Sequence, residues 1–465
     1  MRHQLLKSIM LMLGILLSSQ TFSQKKYNYE SVANDPLKVR IYTLDNGLKV
    51  YMSVYKDAPR IQTAIAVRTG SKNDPADNTG LSHYLEHLMF KGTQHFNTID
   101  YEKESFYLAK IDSLFEVYRK MTDTEQRNKT YRAIDSISNI AATFAVANEY
   151  DKMMSLLGAK GTNAYTSVEQ TVYINDVPTN QFNKWLDIEY DRFSNPVFRL
   201  FHTELETVYE EKNMSLDNDG RKIYETLLAA VYPTHNYGQQ TTLGNPEHLK
   251  NPSLLSLKEY FKSRYVPNNM AVIISGDFDP DKTIRRIDET FGKIKSRKLN
   301  NYVPPVEKPI LKPIYKEVTG PDSEKMLMAF RFPGAASADI DKLTIIDNIL
   351  SNSTAGLIDI NLVKAQKVLS AYSSLYIKTD YTTHLLGGTP KQGQTLEEVK
   401  DLLLEQIDLL KKGDFPDWLI PAIINDLKLS EVKQYESNRS RNNAMINAFV
   451  HNLSWADEVN RMEKL

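Results

Sequence analysis

The chain has no cysteine among its 465 residues. That excludes disulfides, a thiol nucleophile, thiolate metal ligands and a lipid-modified cysteine. Any metal must be held by histidine and carboxylate, and an exported form must rely on its hydrophobic core. A dominant charge is missing too, since 57 Lys and Arg stand against 58 Asp and Glu. The broad positive field that a nucleic-acid-binding or polybasic membrane surface needs is therefore absent. The apolar run from Ile9 to Leu17 is too short to span a bilayer, which takes roughly 20 residues in a helix. It follows Arg2 and Lys7 and precedes Thr21 and Ser23, small residues at the spacing a signal peptidase reads. Residues 1–23 are expected to be a signal peptide cleaved after Ser23, with no membrane span left and a periplasmic or extracellular destination.

What is present suggests two domains, because a chain of this length exceeds one compact core. "KVRIYTLDNGLKVYMSV" alternates apolar and polar residues on both sides of Asp45-Asn46-Gly47, a hairpin signal. In the strand "RIQTAIAVRTG" that follows, Ile61, Thr63, Ile65 and Val67 share a face, which predicts a sheet with one buried side. Helical and strand patterns then mix without a regular rhythm, so the fold class is α+β rather than a doubly wound parallel sheet. Residues from about 101 to 155 are rich in charge and helix formers. With Thr122 and Glu125 in a capping-box pattern, they read as an inserted helical hairpin that reverses near Met121. The first domain is placed at 35–295. It closes with the strand "NMAVIISGDF" and a helix from Asp279-Pro280 to Phe291. Proline-rich residues 296–313 form the expected linker. The second domain, 314–465, starts again with "EKMLMAFRFPG" and a helix from about Asp339. It restates the first domain's order more weakly and stops inside a helical pattern, as if truncated.

The stretch with chemistry is "GLSHYLEHLMFKGT", residues 80–93. On a helix, His83, Glu86 and His87 fall within roughly a third of the circumference, with Leu81, Leu85, Leu88 and Met89 opposite. Gly92 then ends the helix. The leucines can anchor it in a core while two imidazoles and a carboxylate face a common point. Neutral imidazoles hold zinc without cancelling its charge, so that zinc brings the pKa of a bound water to about 7. Glu86 is placed to take that water's proton as general base and return it to a leaving amine. His-x-x-Glu-His is the inverted form of the commoner His-Glu-x-x-His peptidase motif.

A catalytic zinc wants a third protein ligand, here histidine, aspartate or glutamate. On the helix predicted over "FHTELETVYEEKNMSLDND", Glu204 and Glu211 share a face while Glu206 and Glu210 point elsewhere. Spacing alone does not choose between ligand and charged surface.

Five segments in order, "GLSHYLEHLMFKGT", "GTNAYTSVEQTVY", "ELETVYEEKNM", "YGQQTTLGNPEHLKN" and "YVPNNMAVIISGDF", make the chain resemble the pitrilysin and insulinase family of inverted zinc metallopeptidases, which includes mitochondrial processing peptidase. The resemblance spans nearly the whole mature chain. It implies two homologous αβ-roll domains, the first carrying one zinc on His83, His87 and Glu211. It also implies Glu86 as general base and Glu204 as a supporting glutamate that orients a ligand histidine. It assigns Asn163, Ala164 and Tyr165 to an edge strand that binds the backbone of an extended peptide. The gap between the histidine pair and Glu211 is longer than the family's, and the helical hairpin accounts for the excess. The family's non-zinc half usually carries an arginine seven residues before a tyrosine; here Tyr372 remains but Ala365 stands at the arginine position. The second domain is thus expected to be non-catalytic, with a complementary half supplied by a missing C-terminal part or a partner chain. The implied function is hydrolysis of short or unfolded polypeptides; the alternative is a non-catalytic peptide-binding or scaffold subunit.

Overall fold

The structure is a computed structural model that describes residues 25–300 and 302–464, so the expected signal peptide lies outside it. The Asp45-Asn46-Gly47 turn joins β2 (Arg40–Thr43) to β3 (Lys49–Val54), with Gly47 at a φ of 85° that suits only glycine in such a tight turn. These strands lie in a seven-stranded sheet with β1 (Tyr29–Glu30), β4 (Arg60–Val67), β5 (Lys160–Thr166), β6 (Thr171–Pro178) and β7 (Met270–Gly276). The spatial order is β1-β2-β3-β7-β4-β6-β5. β3 and β7 run parallel, and every other neighbouring pair is antiparallel. Among the described residues β5 pairs only with β6 and so forms one edge, with a register irregularity between Lys160 and Asn163.

One face of the sheet carries Ile61, Ile65 and Val67, on which α1 (Leu81–Leu88) packs through Leu81, Leu85 and Leu88. The same core takes in Ile111 and Phe115 of α2 (Tyr101–Lys120) and Ile134 of α3 (Thr124–Ala142). These two helices form a hairpin over 101–142, shorter than the expected 101–155, and a separate helix, Glu149–Leu156, takes up the remainder. The hairpin's second helix is capped by Asp123, whose carboxylate accepts from Gln126 N, rather than by Thr122. Asp123 stands one residue closer to the first helical turn, and its carboxylate complements the helix dipole better than a hydroxyl. Next, α4 (Phe201–Leu216) enters the same core through Phe201, Leu205 and Val208.

Residues 295–325 contain neither helix nor strand among those described, so the connection runs past the predicted 296–313. It is pinned midway, where the buried Glu307 carboxylate accepts from Thr234 N at 2.8 Å and His235 N at 2.7 Å. The second unit pairs β8 (Met326–Pro333), β9 (Ser370–Ile377) and β10 (Tyr381–Thr389) antiparallel in the order β8-β10-β9. Helices α5 (Ile340–Leu350) and α6 (Leu396–Lys412) supply Ile349, Leu350, Val399 and Leu403 to its core. The succession strand, helix, hairpin, helix repeats, without the inserted helices, that of β4, α1, β5-β6 and the helix Phe182–Ser194.

Two expectations change at the chain's end. Helix α7 (Asn438–Val450) falls within residues assigned from sequence to the second unit, yet it packs on the first sheet through Met445, Ile446 and Phe449. It covers Ala64 and Ala66, both fully buried, so the sheet has two buried sides instead of one. The alanines leave room for a helix to lie close. Polar contacts fix it: Arg68 donates to Phe449 O at 2.7 Å and Asn442 Nδ2 to Gln62 O at 3.0 Å. No described helix is long and apolar enough to cross a membrane.

Candidate metal centre

Helix α1 starts without a capping side chain of its own, because its first residue is preceded by Gly80 at a φ of 89°. Gly80 lies against Gly244, so close that a Cβ would sit 3.1 Å from the Gly244 Cα. The buried Asp74 carboxylate supplies the cap, accepting from Gly80 N at 2.8 Å, Ser82 N at 3.0 Å and Ser82 Oγ at 2.6 Å. At the other end the turn after Gly92 is held by Arg199, which donates to Lys91 O, Thr93 O and Phe96 O. Arg199 is itself paired with the fully buried Glu104 of α2 at 2.8 Å. Both ends of the helix that carries the histidines are thus fixed by buried polar side chains, Asp74 and Arg199, and the arginine leads directly into α4.

This framework brings His83, His87 and Glu211 together. Nε2 of His83 lies 3.6 Å and Nε2 of His87 3.8 Å from Glu211 Oε2. One ligand atom from each of the three falls within 4.8 Å of the others. With metal-ligand bonds of about 2.0–2.2 Å, the edges of a tetrahedral zinc site come to roughly 3.4 Å, so the donor set fits zinc with little movement. Glu211 is the most exposed of the three, at 40 % of its side chain, which keeps one side of the centre open. The protonation states suit the same role. Burial, then the neighbouring His87, push His83 down to about 4, so it keeps a free lone pair at neutral pH. Its Nδ1 is buried without a hydrogen-bond partner among the described residues.

His87 has a different environment. Its Nδ1 faces Glu204 Oε2 at 3.4 Å, while Lys91 Nζ lies 2.5 Å from the other oxygen of that carboxylate. Burial pulls His87 down, but the Glu204 hydrogen bond and the charges of Glu211 and Glu86 outweigh it and raise the imidazole above its usual value. An imidazole donating Nδ1–H to a carboxylate presents Nε2 as the lone-pair side, the tautomer a metal requires. Glu206 and Glu210 are not in this group; Glu206 lies instead beside the buried His202, at 3.6 Å.

Glu86 is 9 % exposed, and burial raises its carboxyl above the ordinary range. Its Oε2 accepts from Thr166 Oγ1 at 2.5 Å. Thr166 is the last residue of β5, so the edge strand and the carboxylate are in direct contact. On β5, Asn163 is exposed, Ala164 is buried toward α1, and Tyr165 packs toward Ile174 on the opposite face. Among the described residues, the outward N–H and C=O groups of this edge have no strand partner. Tyr372 lies on β9 with 44 % exposure, and Ala365 ends a short helical turn before it. Sequence reasoning missed Asp74, Thr166 and Arg199. Only Arg199 left a signal, as a charged residue in the otherwise apolar "PVFRLF".

Comparison with known proteins bears on the family and the fold. The profile described as "Insulinase (Peptidase family M16)" matches residues 50–113 and 140–245, and "Peptidase M16 inactive domain" matches residues 253–427. The break in the first match, 114–139, falls within the α2–α3 hairpin. "Uncharacterized zinc protease YmxG" of Bacillus subtilis is 23 % identical over 411 residues, 87 % of this chain and 86 % of that protein. A crystal structure of a protease from Helicobacter pylori superposes with a TM-score of 0.72 at 19 % identity, covering 94 % of this chain and 93 % of that one. The first half of the periplasmic protease PqqL from Escherichia coli superposes with a TM-score of 0.67 at 16 % identity, covering 94 % and 87 %. The shared architecture is the two-domain pitrilysin-like fold, and the chain belongs to the insulinase family of peptidases, M16.

Proposed function

We propose that the protein is an exported zinc metallopeptidase that hydrolyses short or unfolded polypeptides. The observation that carries this reading is the convergence of two imidazoles and one carboxylate beside a buried glutamate that touches an open sheet edge. His83, His87 and Glu211 would hold one zinc, and Glu204 keeps His87 in the required tautomer and orientation. When bound, zinc polarises the scissile carbonyl and acidifies water. The rest is done by this chain. A peptide added to β5 gains main-chain hydrogen bonds from Asn163, Ala164 and Tyr165, which give affinity with little dependence on sequence. Glu86 accepts a proton from the attacking water as the oxygen–carbon bond forms. It delivers that proton to the departing nitrogen as the carbon–nitrogen bond breaks, so the products are a carboxylate and an amine. The raised carboxyl of Glu86 suits a group that must both take and return a proton.

The likeness to the first half of PqqL supports a complementary half that closes over the site, either a further part of the polypeptide or a partner chain. Ala365 in place of an arginine, together with the match to an inactive domain, favours assigning no chemistry to the second unit. The same two observations support the alternative, a subunit that retains zinc and binds peptide without turnover.

Metal analysis by mass spectrometry and cleavage of an unstructured peptide test the reading together. The expected result is one zinc per chain, lost in His83→Ala. Turnover should fall by about 10²-fold or more in Glu86→Gln while zinc is retained. A folded wild-type chain without zinc would favour the scaffold, and turnover that survives Glu86→Gln would refute the assignment of the base.

A further inference from the structure

The turn between β5 and β6 carries a glutamate for which the chemistry above has no use. Glu169 is 4 % exposed. Its Oε1 accepts from Lys72 Nζ at 2.6 Å and from the Tyr237 hydroxyl at 2.5 Å, and its Oε2 accepts from Thr379 N at 2.9 Å. Thr379 belongs to the turn between β9 and β10, the matching hairpin of the second unit. Lys72 bridges to the next residue of that turn, reaching Asp380 Oδ2 at 3.0 Å, and His235 Nε2 meets the same oxygen at 3.2 Å. Asp380 N donates to the Tyr237 hydroxyl at 3.1 Å. The two hairpin turns, one from each unit, are thus locked to each other through one buried carboxylate.

Three residues before Glu169 stands Thr166, and two after it Thr171. The Thr171 hydroxyl donates to Thr69 O at 3.1 Å, anchoring its end of the turn to the segment just after β4. The Thr166 hydroxyl has one proton. It lies 2.5 Å from Glu86 Oε2 and 3.3 Å from Thr171 Oγ1, so the short contact with the carboxylate takes that proton. A glutamate side chain has three rotatable bonds, and one strong hydrogen bond at its end selects among its conformers.

We propose that the second unit positions the general base: the Glu169 lock fixes the β5–β6 turn, the turn fixes Thr166, and the Thr166 hydroxyl holds Glu86 beside the His83–His87 pair. This rests on the peptidase reading and adds a role for the unit that carries no metal. Thr166 and Glu169 are positioning residues. They touch neither the metal ligands nor the scissile bond, so their removal lowers the rate constant of the reaction rather than metal or peptide affinity.

The test uses the full chain and an internally quenched peptide. Thr166→Val, nearly isosteric, should lower kcat by about tenfold or more with KM within about twofold, since small misplacements of a reacting group cost rates of that order. Thr166→Ser, which restores the hydroxyl, should lie within about threefold of wild type. Zinc content should stay at one per chain. Binding of the intact peptide to a Glu86→Gln chain, followed by fluorescence anisotropy, should not change on adding Thr166→Val. Glu169→Gln, and Asp380→Asn should Glu169→Gln fail to fold, should also lower kcat. Combined with Thr166→Val neither should lower it further, because all act through one hydroxyl. Wild-type kcat in Thr166→Val, failure of serine to rescue, or losses that multiply in the double variant would each overturn the proposal while leaving the peptidase reading intact. A wild-type chain with no zinc and no turnover would overturn both.

Discussion

Replacing Glu204 by glutamine isolates the charge behind His87. The substitution keeps the size of the side chain and an oxygen able to accept from Nδ1, but removes the negative charge that sustains the imidazole's basicity against its burial. Carboxylates that support ligand histidines are typically worth 10- to 100-fold in metal affinity, about 1.4–2.7 kcal/mol. The His87 Nδ1 to Glu204 Oε2 separation of 3.4 Å is long for a charge-assisted bond, and Lys91 at 2.5 Å draws on the same carboxylate. Both point to the lower end, about tenfold. The opposite perturbation is available on the same carboxylate. Lys91→Met removes the competing cation and leaves more of Glu204's charge to His87, so zinc affinity should hold or rise by up to about threefold. Competition against a chromophoric chelator at fixed pH measures both. If Glu204→Gln binds zinc as tightly as wild type, or if Lys91→Met weakens it equally, Glu204 does not act through His87 and the reasoning fails.

Other consequences are separable from the metal. Arg199→Met should destabilise the fold by about 3–5 kcal/mol, since it leaves Glu104 buried without a partner; Glu104→Met in the same chain should recover part of the loss in chemical denaturation. Equal stability of the single and double variants would refute the pairing. Gly244→Ala should cost more than about 1 kcal/mol, because φ is +75° and a Cβ would lie 2.5 Å from Thr79 O beside the start of α1; a melting temperature at the wild-type value would count against that account. Asp380 is expected to make stability acid-sensitive. Burial opposes its charge, but the His235 hydrogen bond and Lys72 outweigh this and hold the carboxyl down at about 2. An unfolded aspartate titrates near 3.9, so this contribution is complete above about pH 4 and lost as pH falls through about 2, roughly 1–2 kcal/mol after screening. Asp380→Asn should flatten that acid limb in urea titrations against pH, and an unchanged limb would refute it.

What could be read from the sequence divides along a physical line. The histidine helix was legible because its information is local: His83, Glu86 and His87 are brought to one side by helical periodicity, and the leucines opposite them by burial. Glu211 was legible only as one of two carboxylates on a face, since the choice depends on how α4 is seated, and Arg199 and Glu104 seat it from 95 residues apart. The same limit applies to the sheet. Alternation in "RIQTAIAV" gives Ile61, Thr63, Ile65 and Val67 as one buried face, and the alanines between them look like a neutral outer surface. Ala64 and Ala66 are instead buried beneath α7, whose residues lie nearly four hundred positions later. Alanine at a solvent face and alanine under a close-packed helix have the same pattern. Only tertiary contact distinguishes them, as it does the hydroxyl of Thr166, which reads as an ordinary strand residue until Glu86 is found against it.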